Sequence, residues 1–161
     1  MVVRVPMSKE GHIKLKDELT RLQSKERIQV IRAIEVAREH GDLKENAEYH
    51  AAKERQGFIE GRIMELKDKL GRAEVIDCSM VDCEKAVFGA VVSVVDLETD
   101  EESSYQLLGP EEADVKHGSI SVGSPLGQSM LGKSVGDEFT VKTPGGIRQL
   151  EVMSISRSGK S

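Results

Sequence analysis

The sequence has few aromatic residues and no long apolar run, and each shortage excludes a class of protein. Aromatic side chains make up 3% of the 161 residues and tryptophan is absent, so a platform for stacking nucleic-acid bases is not expected. No apolar run is long enough to span a membrane, and the first residues lack the apolar stretch of a signal peptide. We expect one ordinary domain or two small ones, located in the cytoplasm, with no membrane partner.

The sequence also has only two cysteines, Cys78 and Cys83, and they do not form a recognisable metal site. A structural zinc site needs four ligands, and no second cluster of cysteine or histidine lies close by. The histidines are scattered along the chain, at His12, His40, His50 and His117. We therefore interpret the cysteines as free thiols in a reducing compartment.

The acidic excess of the chain is confined to its second half. Of 28 acidic and 23 basic side chains, residues 1–77 carry 15 and 16, and residues 78–161 carry 13 and 7. Glycine is also more frequent after residue 77, so we place a domain boundary there, giving domains of residues 1–77 and 78–161. The net charge of −5 argues against stable binding of free DNA or RNA.

The first half predicts two long helices joined near Gly41. Ser8 is a helix start signal and precedes a charged run that is free of glycine from residue 12 to His40. The second run places apolar residues at alternating steps of four and three, which is a heptad seam: Ile59, Ile63, Leu66, Leu70 and Ala73. The pattern indicates an antiparallel coiled-coil hairpin whose arms of roughly 30 residues are each about 45 Å long.

The second half predicts an antiparallel sheet with one short helix, which makes the whole chain an α+β protein. β-Branched runs indicate strands at residues 88–97, 103–108, 139–143 and 147–155, the last two joined by a turn at residues 144–146. Between the second and third of these strands, Pro125 fits the first position of a short helix and Gly132 its end.

The connection between the two helices carries paired carboxylates, Asp42 and Glu45, which have two compatible interpretations. The spacing fits a capping box at the start of the second helix, with Gly41 as the C-cap of the first. Alternatively, the carboxylates project at the end of a rod. Two carboxylates are too few to hold Mg²⁺ alone, but they could complete a metal site for phosphoryl transfer in another macromolecule.

Residues 37–53, which contain this connection, resemble the signature of the bacterial Gre transcript cleavage factors, and the GreA-like members in particular. The resemblance continues nearly from end to end. Further matching segments are residues 61–63, 73–77, 87–90, 120–126 and 142–146. A contiguous match of this length is highly specific, whereas two carboxylates at this spacing alone would not be.

The resemblance implies a factor that rescues backtracked RNA polymerase and is not itself an enzyme. Gre coiled coils enter the secondary channel of the polymerase, where the acidic tip helps to hold a second Mg²⁺ and the polymerase cleaves the 3′ end of its own RNA. Carried over to this chain, the acidic pair is Asp42 and Glu45. They would share Mg²⁺ with the polymerase, and the free protein would bind no cofactor.

Further tip residues follow from the same motif. Asn46 and Tyr49 are expected to support the tip or to contact RNA. The basic side chains near it are either solvated helix faces or guides for the RNA 3′ end, and their modest number favours short RNA segments as in GreA: Arg38, Lys44, Lys53 and Arg55.

The second half resembles the FKBP-like domain with which Gre factors dock on the rim of the channel. The family's docking loop matches residues 121–125, so Ser121, Ser124 and Pro125 are the expected docking residues. Gly123 stands where other members can carry Asn or Asp. The implied partners are bacterial RNA polymerase and the nascent RNA 3′ end within that complex.

Three other functions are compatible with parts of the sequence. An FKBP-like half could be a peptidyl-prolyl isomerase, but residues 78–161 offer only Phe88, Tyr105 and Phe139 to line an aromatic pocket. A Gre homologue could plug the channel without stimulating cleavage, which the presence of both carboxylates disfavours. A generic coiled-coil interaction protein would not need this tip sequence.

Overall fold

A computed structural model describes residues 3–41 and 45–158, and the chain divides into two compact units. One unit comprises Met1–Val5 and His12–Ala73, and the other comprises Pro6–Gly11 and Glu74–Ser161. The division after Ala73 lies four residues before residue 77, where the sequence placed the domain boundary. The boundary at residue 77 stays a prediction. Among the described residues, no helix is both long and apolar enough to cross a membrane.

The first unit is built from helices. Helix α1 is Lys9–Arg21, and a π-helical turn, Leu22–Glu26, continues it into helix α2, Arg27–Arg38. Helix α3 is Ala47–Arg72 and packs against α2. The predicted pair of long helices is confirmed, and the π-helical turn within the first arm was not predicted.

The contact between the two arms of the hairpin is an apolar seam of the predicted spacing. Helix α2 buries Val30, Ile34 and Ala37, and helix α3 buries Ile59, Ile63 and Leu66. These positions recur at steps of three and four, so each set lies along one face of its helix. Leu70 and Ala73, at the end of the predicted seam, are only partly buried.

Charged pairs join the helices beside this seam. Arg62 on α3 donates from Nε and Nη2 to the two carboxylate oxygens of Glu18 on α1, at 2.7 and 2.8 Å. Arg27 makes the same two-point contact with Glu60, at 2.8 and 2.7 Å. This geometry restricts the rotation of each helix about its axis, because a two-point contact between a planar guanidinium and a carboxylate is more directional than a single hydrogen bond.

The Glu18–Arg62 pair makes the stability of the helical unit depend on acid. The hydrogen bond from Arg62 lowers the pKa of Glu18 below its ordinary value of 4.5. A lowered carboxyl pKa stabilises the folded state above pH 4.5, and the contribution is lost as the pH falls through the folded-state pKa. We expect Glu18→Gln to reduce the free energy of unfolding at neutral pH, and the difference from the unaltered protein to shrink towards zero in acid. Urea unfolding at a series of pH values measures it, and a difference independent of pH would contradict this assignment.

Two glycines with open surroundings give a second stability prediction. A Cβ added at Gly61, inside α3, would meet nothing within 4 Å, so Gly61→Ala should raise the free energy of unfolding by about 0.5–1 kcal/mol. A Cβ at Gly41 also has open space, but its φ of +113° disfavours any side chain. Gly41→Ala should therefore destabilise the protein by about 1 kcal/mol or more. Urea unfolding followed by helical circular dichroism compares the two variants, and changes of the same sign would contradict the prediction.

The second unit contains a five-stranded sheet in the order β5-β4-β3-β7-β6. A separate two-stranded sheet pairs β1, Val5–Ser8, with β2, Ala73–Ile76. The strands of the larger sheet are β3 (Val91–Asp96), β4 (Glu102–Leu108), β5 (Ser119–Ser121), β6 (Glu138–Thr143) and β7 (Gly146–Ser156). Its neighbours pair antiparallel except β4 and β5, which are parallel. The predicted mostly antiparallel sheet is confirmed.

One face of this sheet carries the core. Alternate residues of β3 and β7, among them Val92, Val94, Leu150 and Val152, are almost completely buried. A short helix, α4 (Pro125–Met130), contributes Met130 to the same cluster. The strand predicted from residue 88 begins only at Val91, because residues 87–90 form a turn in which Gly89 has a φ of +90°.

Candidate functional site

The end of α2 lies immediately before the residues that carry the acidic pair. The helix ends at Arg38 with Glu39 as its C-cap, and Gly41 follows with a φ of +113°. The prediction that Gly41 is itself the C-cap is therefore wrong by two residues. Gly41 instead has a backbone conformation that other residues rarely adopt.

Asn46 connects the two helices at this end of the hairpin. Its Oδ1 accepts a hydrogen bond from the Tyr49 N–H at 3.1 Å, which caps the first turn of α3. Its Nδ2 donates to the Ala37 carbonyl, in the last turn of α2, at 2.5 Å. One side chain therefore satisfies a free N–H donor of α3 and adds a bond to the Ala37 carbonyl of α2, which also accepts from the His40 N–H at 3.1 Å.

The capping-box prediction is wrong, because Asn46 occupies the N-cap. Helix α3 begins at Ala47, so Glu45 precedes the cap and does not reach the N3 position that a capping box needs. Asp42, its proposed partner, lies outside the described residues, as does Lys44. The signal that could have identified this cap is an asparagine followed by helix formers and by an acidic residue, Glu48, in the first turn.

Glu45 is exposed and lines an open cleft at the tip. The side chains around this cleft are His40, Glu45, Asn46, Ala47 and Glu48. Glu45 directly precedes Asn46, the residue that bonds to both helices, and its side chain is exposed to solvent. A carboxylate in this position is available to a second macromolecule.

The other predicted tip residues differ in burial and in the contacts that their side chains make. Tyr49 is partly buried and its ring meets the His50 ring edge-on, with 5.6 Å between centroids. Lys53 donates to Gln56 at 3.3 Å, and an Arg55 nitrogen lies 4.0 Å from the Glu26 carboxylate. Arg38 is exposed.

The described residues offer no metal site of their own. Within residues 3–41 and 45–158, no group of three or more His, Cys, Asp or Glu side chains could hold a metal ion. Cys78 and Cys83 are free thiols. Burial raises the pKa of the Cys78 thiol, so this side chain is a poor nucleophile and a poor ligand.

The predicted docking residues lie together in the second unit, between β5 and α4. Ser124 is the N-cap of α4, where its Oγ accepts from the Gly127 N–H at 3.1 Å and donates to the Ser121 carbonyl at 2.7 Å. Pro125 is the first residue of the helix and is exposed. The structure therefore joins Ser121, Ser124 and Pro125 in one turn.

The Asn46 bridge predicts a specific pattern of local stability. Asn46→Ala removes both hydrogen bonds and should lower the free energy of unfolding by about 1–2 kcal/mol. Asn46→Ser keeps a capping oxygen but cannot reach Ala37, so it should lose only part of that stability. Hydrogen exchange of the Tyr49 amide separates the two effects. It should accelerate in Asn46→Ala and stay protected in Asn46→Ser, whereas equal exchange in both would contradict the capping role of Asn46.

Comparison with known proteins places the chain in a family. A family model described as "Transcription elongation factor, N-terminal" matches residues 5–75, and one described as "Transcription elongation factor, GreA/GreB, C-term" matches residues 81–157. Together these models cover both units. The chain therefore belongs to the GreA/GreB family of transcription elongation factors.

Individual relatives match over nearly the whole length. The chain is 68% identical over 155 residues to the transcription elongation factor GreA of Desulfotalea psychrophila, covering 96% of each protein. It is 55% identical over 153 residues to that of Maricaulis maris, covering 95% of this chain and 98% of the relative. Among solved structures, the GreA factor homolog 1 of Thermus thermophilus is 30% identical, with 94% of this chain and 98% of that chain covered and a TM-score of 0.44.

Proposed function

We propose that this protein rescues backtracked or arrested bacterial RNA polymerase in the cytoplasm. The helical hairpin enters the secondary channel, and the tip stimulates the polymerase to cleave the 3′ end of its own RNA. The protein contributes carboxylates to the active site of the polymerase and has no enzymatic activity alone. Membership of a family of transcription elongation factors supports this proposal over the isomerase and the generic coiled coil.

The position of Glu45 is the observation that carries the proposal. Its carboxylate is exposed at the end of the hairpin, next to an asparagine that is bonded to both helices. The backbone next to this carboxylate is ordered by the Asn46 bonds before the partner arrives, so less backbone freedom is lost on binding. Asp42 is the second proposed carboxylate.

Asp42 and Glu45 are the residues that would hold a Mg²⁺ ion shared with the polymerase. Carboxylate oxygens are the ligands that this ion prefers, and it commonly completes its coordination with substrate phosphates and water. When bound, the ion would supply charge stabilisation for attack of water on a phosphodiester. The carboxylate of Glu45 would also orient that water, since it faces solvent and makes no ion pair with the described residues.

The remaining predicted residues have supporting roles in this proposal. Asn46 holds the tip, and Tyr49 packs beside it. Arg38 is exposed and could contact an RNA phosphate, whereas Lys53 and Arg55 are already engaged along the helices. Residues 121–125 would dock on the rim of the channel, so binding and catalytic assistance would depend on different units.

Removal of either carboxylate tests the proposal. Asp42→Ala and Glu45→Ala should each reduce stimulated RNA cleavage in a defined backtracked elongation complex by at least about tenfold, because a ligand of the shared ion is lost. Binding to polymerase should be retained, since residues 121–125 are unchanged. Cleavage is followed on end-labelled RNA, and binding is measured by competition with labelled wild-type protein.

Matched variants separate the mechanism from simple loss of charge. Glu54→Gln removes another exposed carboxylate of α3, and this variant should stimulate cleavage by the polymerase as well as the wild-type protein does. Pro125→Ala should weaken binding, and its defect should shrink at high protein concentration. Normal cleavage by both tip variants would contradict the mechanism. A wild-type protein that binds and inhibits would indicate a channel-plugging regulator instead.

A further inference from the structure

The loop proposed for docking, residues 121–125, is held by its own serine side chains. The Ser121 carbonyl accepts from the Ser124 N–H at 3.0 Å and from the Ser124 hydroxyl at 2.7 Å. The Ser121 Oγ accepts from the Gly123 N–H at 3.0 Å. Both hydroxyls therefore have partners inside the loop, and the residues left exposed in it are Gly123 and Pro125.

Gly127, which lies outside this loop, packs closely against the loop backbone because it has no side chain. It is buried in α4, and a Cβ added to it would lie 2.0 Å from the Ser121 carbonyl oxygen and 3.0 Å from the Val122 Cα. Real Cβ atoms do not approach so closely, and the atoms in the way belong to the backbone, so no side-chain rotation relieves the contact. The backbone at Gly127 is helical, so conformational strain does not explain the glycine.

The other side of the loop is fixed by the sheet. The Val122 N–H donates to the Leu108 carbonyl of β4 at 2.8 Å, next to the parallel pairing of Leu108 with Ser121. The segment Ser121–Val122 is thus bonded to β4, and its backbone occupies the space that a Cβ at residue 127 would need. A side chain at residue 127 would have to displace this segment or break its bond to the sheet.

We propose that Gly127 is a positioning residue for docking, which acts through the backbone of Ser121 and Val122. Ser121 and Ser124 also position the loop and do not contact the partner. The direct contacts are then made by Gly123 and Pro125, a surface of backbone and proline ring. A partner with an apolar side chain for the ring and a polar group for the backbone fits this surface. This inference rests on the docking role proposed above for residues 121–125.

The first test is a titration of stimulated RNA cleavage with Gly127→Ala. Displacement of the loop should raise the half-saturating protein concentration about tenfold. The maximal cleavage rate at saturation should stay within about twofold of wild type, because the tip is unchanged. Gly145→Ala is the matched control, since its Cβ would meet only Thr143 Oγ1 at 3.9 Å, and neither parameter should change. Equal titrations for the two variants, or a fall in maximal rate alone, would overturn the proposal.

A second readout does not depend on polymerase. Hydrogen exchange of the Val122 and Ser124 amides should accelerate about tenfold in Gly127→Ala and not in Gly145→Ala, because their bonds to Leu108 and Ser121 are disturbed. Unchanged protection would overturn the positioning role. If the wild-type protein fails to stimulate cleavage while this exchange pattern holds, the proposed function fails and the loop geometry stands.

Serine variants keep the proposal testable if Gly127→Ala does not fold. Ser124→Ala removes the hydroxyl that joins Ser121 to Gly127 and should raise the half-saturating concentration, whereas Ser124→Thr retains a hydroxyl and should restore it. A direct contact through the compact serine would be disturbed by the added methyl group as well. Equal defects in both variants would therefore overturn the assignment of Ser124 as a positioning residue.

Discussion

The apolar seam between α2 and α3 is the interaction on which the tip of the hairpin depends. Val30, Ala37 and Ile59 are almost completely buried, and burial of a large aliphatic side chain contributes about 1.5–3 kcal/mol. The ion pairs beside the seam are partly exposed and are screened by water, so they set helix rotation more than stability. Because the seam holds the two helices side by side, the last turn of α2 lies within reach of the start of α3. Without that arrangement, Asn46 could not bond to both helices.

The chemistry of asparagine explains why this residue occupies the junction. The end of α2 offers carbonyl acceptors and the start of α3 offers N–H donors, so a bridging side chain must donate on one side and accept on the other. A neutral amide does both, whereas an aspartate can only accept. An aspartate would also add a negative charge beside Glu45 and Glu48, which line the same cleft. Asn46 therefore supports the acidic tip without increasing the repulsion within it.

Periodic features were predictable from the sequence, and features set by tertiary contact were not. The heptad seam and the strand pattern identified the long helices and four strands of the larger sheet, because each pattern follows from which face is buried. The short helix was indicated by Pro125 and Gly132 at its ends. The π-helical turn at Leu22–Glu26 has no such pattern. The same is true of the bridging role of Asn46 and of the contact between Gly127 and Ser121, which join residues whose proximity only the fold creates. Family resemblance identified Asp42 and Glu45 as candidates, but it did not distinguish residues that touch a partner from residues that hold others in place.

The hairpin tip and residues 121–125 need different degrees of backbone order for their proposed roles. At the tip, the proposed functional groups are carboxylates, and the side chain of Asn46 joins the two helices next to one of them, Glu45. In residues 121–125 the exposed surface is largely backbone and a proline ring, so its shape is the shape of the main chain itself. A flexible loop of this kind would lose conformational entropy on docking, and its affinity would fall accordingly. The internal hydrogen bonds of Ser121 and Ser124, the bond from Val122 to β4 and the close approach of Gly127 all restrict that freedom before the partner binds. Glycine at position 127 is therefore required by the close approach of the Ser121 and Val122 backbone, and a buried residue would affect the proposed docking through the shape of the loop that it packs against.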